Sequence, residues 1–116
     1  MVDIGETLYE VWLKMRERAF SQFPVKKKGR IVGSITEKRI NQLIIEFGRD
    51  RTKKLKVDNV MDKPFPTIPQ NTRLPVIIHL LQNNQAVIVV GKNGKIAGII
   101  TNTDIEKIFE KTSKEI

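Results

Sequence analysis

The stretch Gly98-Ile99-Ile100-Thr101-Asn102-Thr103-Asp104 decides the fold. Its isoleucine run reads as a buried strand. Asn102, Thr103 and Asp104 are helix-capping residue types placed before a helical pattern at Ile105, Ile108 and Phe109. A strand that turns straight into a helix leaves backbone N–H groups free at its mouth, which suits an anionic or polyhydroxylated ligand. Plain capping needs the same residues, so one such corner says little. This chain holds two.

Working outward, Ala86 to Val90 and Lys95 to Ile100 read as strands joined by a hairpin turn at Asn93-Gly94. A final helix is expected over about Asn102 to Lys111. Before the hairpin, Thr72 to Leu81 predicts a helix with Leu74, Ile77, Ile78 and Leu81 inward, and Pro75 fits because it falls in the first turn. His79 on that helix is expected to pack at a helix interface, not to bind metal. The first half follows the same plan. Glu6 to Arg18 sets Leu8, Val11, Trp12 and Met15 at helical spacing, with Trp12 in the core. A strand at Phe20 to Val25, a Lys-Lys-Lys-Gly turn and a strand at Arg30 to Ile35 make a hairpin. Thr36 to Phe47 predicts a helix stopped by Gly48. Between the halves, the basic run Arg49 to Lys56 reads as a solvated connector. Val57 to Met61 and Pro64 to Pro69 read as extended chain at a sheet edge.

A shift of 65 residues superimposes the halves without a gap, carrying Val25 onto Val90, Gly33 onto Gly98, Thr36 onto Thr101 and Ile40 onto Ile105. That is the signature of a tandem duplication with two related clefts. Two asymmetries stand out. Arg39 occupies the place of Asp104, and residues 57–65 map to positions before Met1, so the first repeat is expected to be truncated at its N-terminus.

Composition narrows the function. The 116 residues suit one compact domain or two small halves. With no cysteine and one histidine, disulfides, thiolate metal sites and cysteine nucleophiles are excluded and a metal site is not expected. No apolar run is long enough to span a membrane and no signal peptide is evident, so a cytoplasmic location is the default. The net charge of +8 attracts polyanions, yet the basic residues are scattered and lack interleaved aromatics, which makes nucleic acid a weaker partner.

Phe-Ser-Gln-Phe-Pro-Val at 20–25, Gly-Arg-Ile-Val-Gly-Ser-Ile-Thr-Glu-Lys-Arg-Ile at 29–40, Val-Met-Asp-Lys-Pro-Phe-Pro-Thr-Ile at 60–68 and Gly-Lys-Ile-Ala-Gly-Ile-Ile-Thr-Asn-Thr-Asp-Ile at 94–105 resemble a tandem cystathionine β-synthase (CBS) domain pair, the Bateman module. The resemblance implies an α/β (α+β) fold of two tandem repeats, each helix, β-hairpin and helix with a short extended lead-in strand. It divides the chain into 1–48, a basic linker 49–56, and 57–116. It implies a regulatory module, not an enzyme, that needs no cofactor and senses an adenosine compound such as AMP, ADP, ATP or S-adenosylmethionine. It further implies a homodimer and an effector domain or protein that the module controls.

By the same resemblance, Thr101 and Asp104, with Asn102 and Thr103, hold ribose or phosphate, and Ser21, Gln22, Phe23 and Pro24 form the adenine slot. A second, weaker cleft takes Thr36, Lys38, Arg39, Met61, Phe65, Pro66, Gln85 and Ala86. Lacking the carboxylate, it is expected to be empty or to hold phosphate. The competing readings are a dimerisation scaffold that has lost its ligand, and a nucleic-acid-binding accessory.

Overall fold

A computed structural model describes residues 1–115 of the chain, with side chains through residue 110. The elements run β1 (Val2–Asp3), α1 (Leu8–Arg18), β2 (Gln22–Lys27), β3 (Arg30–Thr36), α2 (Glu37–Phe47), α3 (Arg49–Lys54), α4 (Val57–Val60), β4 (Thr67–Pro69), α5 (Leu74–Leu81), β5 (Ala86–Val90), β6 (Ile96–Thr101) and α6 (Asn102–Glu115). They fall into two compact units, Met1–Pro64 and Phe65–Ile116. Each carries a three-stranded mixed sheet, ordered β1-β2-β3 in the first and β4-β5-β6 in the second. In each, the first pair is parallel and the second antiparallel.

In the first unit, α1 starts at a capping box in which the Thr7 side chain accepts from Glu10 N and the Glu10 carboxylate accepts from Thr7 N. Leu8, Val11 and Met15 turn inward from α1 to meet Phe23, Val25, Ile35, Ile40 and Leu43, and Val2 and Val57 complete the core. Pro24 sits within the central strand without cost to the ladder. Its partner Ser34 directs its own N–H and C=O outward to Asp62, so this is a non-hydrogen-bonded pair and the missing proline N–H is not called on. The second unit has a smaller core of Ile68, Ile77, Leu81 and Val87.

Several expectations are corrected. The basic run 49–54 is a helix, docked because the Thr52 hydroxyl is buried against the Leu43 and Gly48 carbonyls. Val57–Val60 is a helical turn instead of extended chain. Residues 57–64 pack in the first unit, which describes where the segment lies and leaves the division of the sequence into repeats at 57 as it was read. Trp12 is half-buried at the edge of the core, and His79 is exposed. Leu74 and Ile78 also point outward, being 42% and 40% exposed.

The gap-free repeat register is corrected as well, although it does not account for that last miss, since an offset of 66 between the helices carries buried Leu8 onto Leu74 and half-buried Trp12 onto Ile78. In the sheets, Val25 pairs with Gly33 and Val89 pairs with Gly98, so Val25 corresponds to Val89, an offset of 64 and not 65. Val2 opposite Val25 and Ile68 opposite Val89 give 66 for the first strands. The same 66 carries buried Val11 and Met15 of α1 onto buried Ile77 and Leu81 of α5. β3 and β6, and the starts of α2 and α6 that follow them, keep 65. A hairpin longer by one residue and a helical segment shorter by two nearly cancel, and the gap-free shift is their net result.

Candidate functional site

The β6–α6 corner in the second unit is built by Asp104. Its Oδ2 accepts from the Thr101 backbone N–H at 2.8 Å and from Thr101 Oγ1 at 3.3 Å. Asp104 is the third residue of α6, and its reach back to Thr101 is one half of a capping box. The carboxylate therefore has a capping role, and that role also fixes its direction. Oδ1 accepts no hydrogen bond among the described residues. Thr101 lies opposite Ala86 on β5, which brings these two positions together, while Asn102, Thr103 and Gln85 are exposed around them. Phe65 is buried, and the Pro66 carbonyl accepts from Ile88 N.

The β3–α2 corner of the first unit has the same backbone course and different chemistry. Thr36 Oγ1 accepts from Arg39 N at 3.1 Å, so the hydroxyl caps α2. The Glu37 N–H is taken by the Ser21 carbonyl at 2.8 Å. Arg39 turns its Nε onto the Val60 carbonyl at 3.1 Å, at the last residue of α4. Residues 61–63 then run along the outer edge of β3. Ser34 N donates to Asp62 O at 3.0 Å, Asp62 N donates to Ser34 O at 2.9 Å, and Ser34 Oγ donates to Lys63 O at 2.6 Å. Met61 packs over Gly33, and Lys38 is exposed.

Of the expected adenine slot, Ser21 is exposed and bonds Gln22 through its hydroxyl at 2.7 Å. Gln22 lies opposite Thr36. Phe23 and Pro24 are buried, and Phe23 belongs to the first core with its ring set edge-on to Phe20 at 5.8 Å. A cavity of about 270 Å³ opens beside Ser21, with Trp12, Arg16, Phe20 and Glu37 in its wall. Sequence periodicity had no means of adding Arg16, Phe20 or Glu37, since they come from α1, the turn after it and the start of α2. Among the described residues, no group of acidic, histidine or cysteine side chains is placed to hold a metal ion.

The CBS domain family matches residues 1–46 and 57–111. The protein MJ1225 of Methanocaldococcus jannaschii is 29% identical over 90% of the chain, which spans 41% of that relative's length. Its crystal structure, solved as a proposed archaeal homologue of the γ subunit of AMPK, superimposes with a TM-score of 0.76 at 28% identity, covering 94% of this chain and 43% of that one. CbpB (Lmo1009) of Listeria monocytogenes is similar over 99% of this chain and 91% of its own, with 27% identity and a TM-score of 0.75. The same protein has also been solved in complex with c-di-AMP, and that structure covers 99% of this chain and 89% of its own, with 26% identity and a TM-score of 0.74. With both repeats matched and both units built on the same strand and helix order, the chain belongs to the CBS domain family.

Proposed function

We propose that the chain is a regulatory module that binds an adenosine-type ligand through the Thr101–Asp104 corner. The observation that carries this reading is the Asp104 carboxylate, held by two bonds to Thr101 through Oδ2 while Oδ1 stays uncommitted. A carboxylate fixed in this way is prepared to accept from vicinal ribose hydroxyls without reorganising. The Listeria relative solved with c-di-AMP supports an adenine-containing ligand, and AMP, ADP, ATP and S-adenosylmethionine remain in the same class. Ser21 and Gln22 are the accessible residues of the proposed adenine slot. The controlled activity lies in an effector domain or protein.

The module acts as a homodimer in this reading. Leu74, Val76 and Ile78 of α5 are 40% to 49% exposed on a helix that is apolar almost throughout. A second copy removes that surface from water and gives a symmetric interface.

Calorimetric titration with AMP, ATP, S-adenosylmethionine and c-di-AMP tests the ligand. Binding by one of them, weakened at least about ten-fold in Asp104→Asn, is the expected result; asparagine keeps the capping acceptor and loses the charge. No heat from any of the four removes the reading. A scaffold without ligand is favoured at the other corner, where the Arg39 guanidinium is bonded to the Val60 carbonyl.

A further inference from the structure

The basic run between the repeats does more than connect them. Folded as α3, it sets Arg49 and Lys53 one helical turn apart, beside α1 and α2. Together these three helices enclose a cavity of about 390 Å³ within the first unit. Tyr9 and Trp12 supply one wall as a stacked pair with ring centroids 6.2 Å apart and planes 12° from parallel. Ile40 and Ile44 of α2 supply the apolar floor, and Arg49 and Lys53 stand at the third side. The volume lies within the range small-ligand pockets take, about 300–1,000 Å³.

The charges here are uncompensated. Neither Arg49 nor Lys53 forms a salt bridge among the described residues; the Lys14–Glu6 pair joins α1 to the turn before it. Lys53 Nζ instead rests 5.0 Å from the Tyr9 ring centroid, and the Arg16 guanidinium lies 5.0 Å from that of Trp12. Two cations beside an aromatic wall favour an occupant that brings both a ring and a negative group. Of the neutral polar wall groups, the Thr52 hydroxyl has its proton committed to the Gly48 and Leu43 carbonyls, which leaves the Tyr9 hydroxyl and the Trp12 indole N–H. A ligand rich in hydroxyls or carrying several phosphates has more polar groups than these few partners can take and would leave some unpaired against Leu8, Ile40 and Ile44.

We propose that this cavity binds a small planar aromatic anion, a ring carrying one carboxylate or sulfonate. The ring lies against Trp12 and Ile44, and the anion sits between Arg49 and Lys53. The site is separate from the Thr101–Asp104 corner and does not depend on what binds there.

Trp12 is the chain's only tryptophan, so its emission reports on this cavity directly. The test is titration of the whole chain with anilinonaphthalene sulfonate, read as dye emission sensitised by Trp12. The expected result is saturable single-site binding that is weakened at least about ten-fold in the double variant Arg49→Glu/Lys53→Glu and unchanged in Arg30→Glu, a basic residue on the first hairpin. If charge reversal unfolds the chain, Arg49→Gln/Lys53→Gln is expected to shift the affinity in the same direction by at least about three-fold. Naphthoate should displace the dye and uncharged naphthol should not. Non-saturating emission, equal loss in Arg30→Glu, undiminished binding in both double variants, or equal displacement by naphthol would overturn the proposal. So would dye binding that disappears as protein concentration rises at a fixed dye ratio, because a second copy would then be the occupant.

Discussion

Gly33→Ala tests the packing that holds residues 57–64 in the first unit. A Cβ built at Gly33 overlaps Met61 Sδ and comes within 2.9 Å of both Met61 Cγ and the Asp62 carbonyl oxygen. The methionine end can swing aside, but the carbonyl is backbone. It is also held there by the paired Ser34–Asp62 bonds and the Ser34–Lys63 bond. To admit the methyl, the segment must lift from β3 and weaken three hydrogen bonds worth about 0.5–1.5 kcal/mol each, or stay and accept overpacking of about 1–3 kcal/mol. The cheaper route sets the cost at about 1–3 kcal/mol. Gly98 stands at the matching position of β6, and a Cβ there meets nothing within 4 Å. Gly98→Ala is therefore expected to be neutral or to stabilise by up to about 1 kcal/mol through the unfolded chain. Urea denaturation of both variants, followed by circular dichroism, measures the difference. A Gly33→Ala variant within about 0.5 kcal/mol of Gly98→Ala would refute the reasoning.

The Glu10 carboxyl is held below its ordinary value of 4.5, first by the Thr7 hydroxyl and then by the Thr7 N–H. A depressed carboxyl contributes stability that is complete above its unfolded value and lost as pH falls through the folded one. The wild type should thus lose more melting temperature than Glu10→Gln on acidification below about pH 4.5, and parallel curves would count against it. Val76→Glu/Ile78→Glu should convert the proposed dimer to monomer in sedimentation equilibrium, and an unchanged mass would remove α5 from the interface. Arg39→Asp should lower stability by about 1–3 kcal/mol, because it loses a charged donor and faces the Val60 carbonyl with a carboxylate. It should add no nucleotide binding in calorimetry; new heat would show that the first corner lacks only the acid.

The parts of this fold legible from sequence are those made by local chemistry. Thr36 and Gly48 bracket α2 as expected, Asn93-Gly94 turns the second hairpin, and the Thr101–Asp104 corner sits where a strand pattern gives way to a helical one. What could not be read depends on distant partners. Arg49–Lys54 has no apolar stripe of its own, and its helix is held by one buried hydroxyl reaching the end of α2. Without that docking there is no aromatic cavity, so Arg49 and Lys53 read as solvent-facing charge. The outward turn of Leu74 and Ile78 was hidden differently: their counterparts at the helix offset of 66, Leu8 and Trp12, stand beside α3 and Leu55 in the first unit, and the spacing within α5 cannot show whether such a cover is present.

The corrected register also bears on why the two corners diverged. Thr36 and Thr101 hold equivalent places, and so do Arg39 and Asp104, since β3, β6 and the helices that follow them keep the same offset. In the first unit the hydroxyl alone caps the helix, and the third helical residue is released for a different contact. That contact is a carbonyl at the end of α4, where a cation is favoured and a carboxylate would be repelled. In the second unit the third residue itself supplies the cap, which requires an acceptor and therefore an acid or amide. Each side chain is thus explained by its own neighbours before any ligand is invoked. The asymmetry has a consequence for binding: the acid is retained where it is structurally required and is already aimed, so a ligand that uses Asp104 exploits an orientation which folding has set.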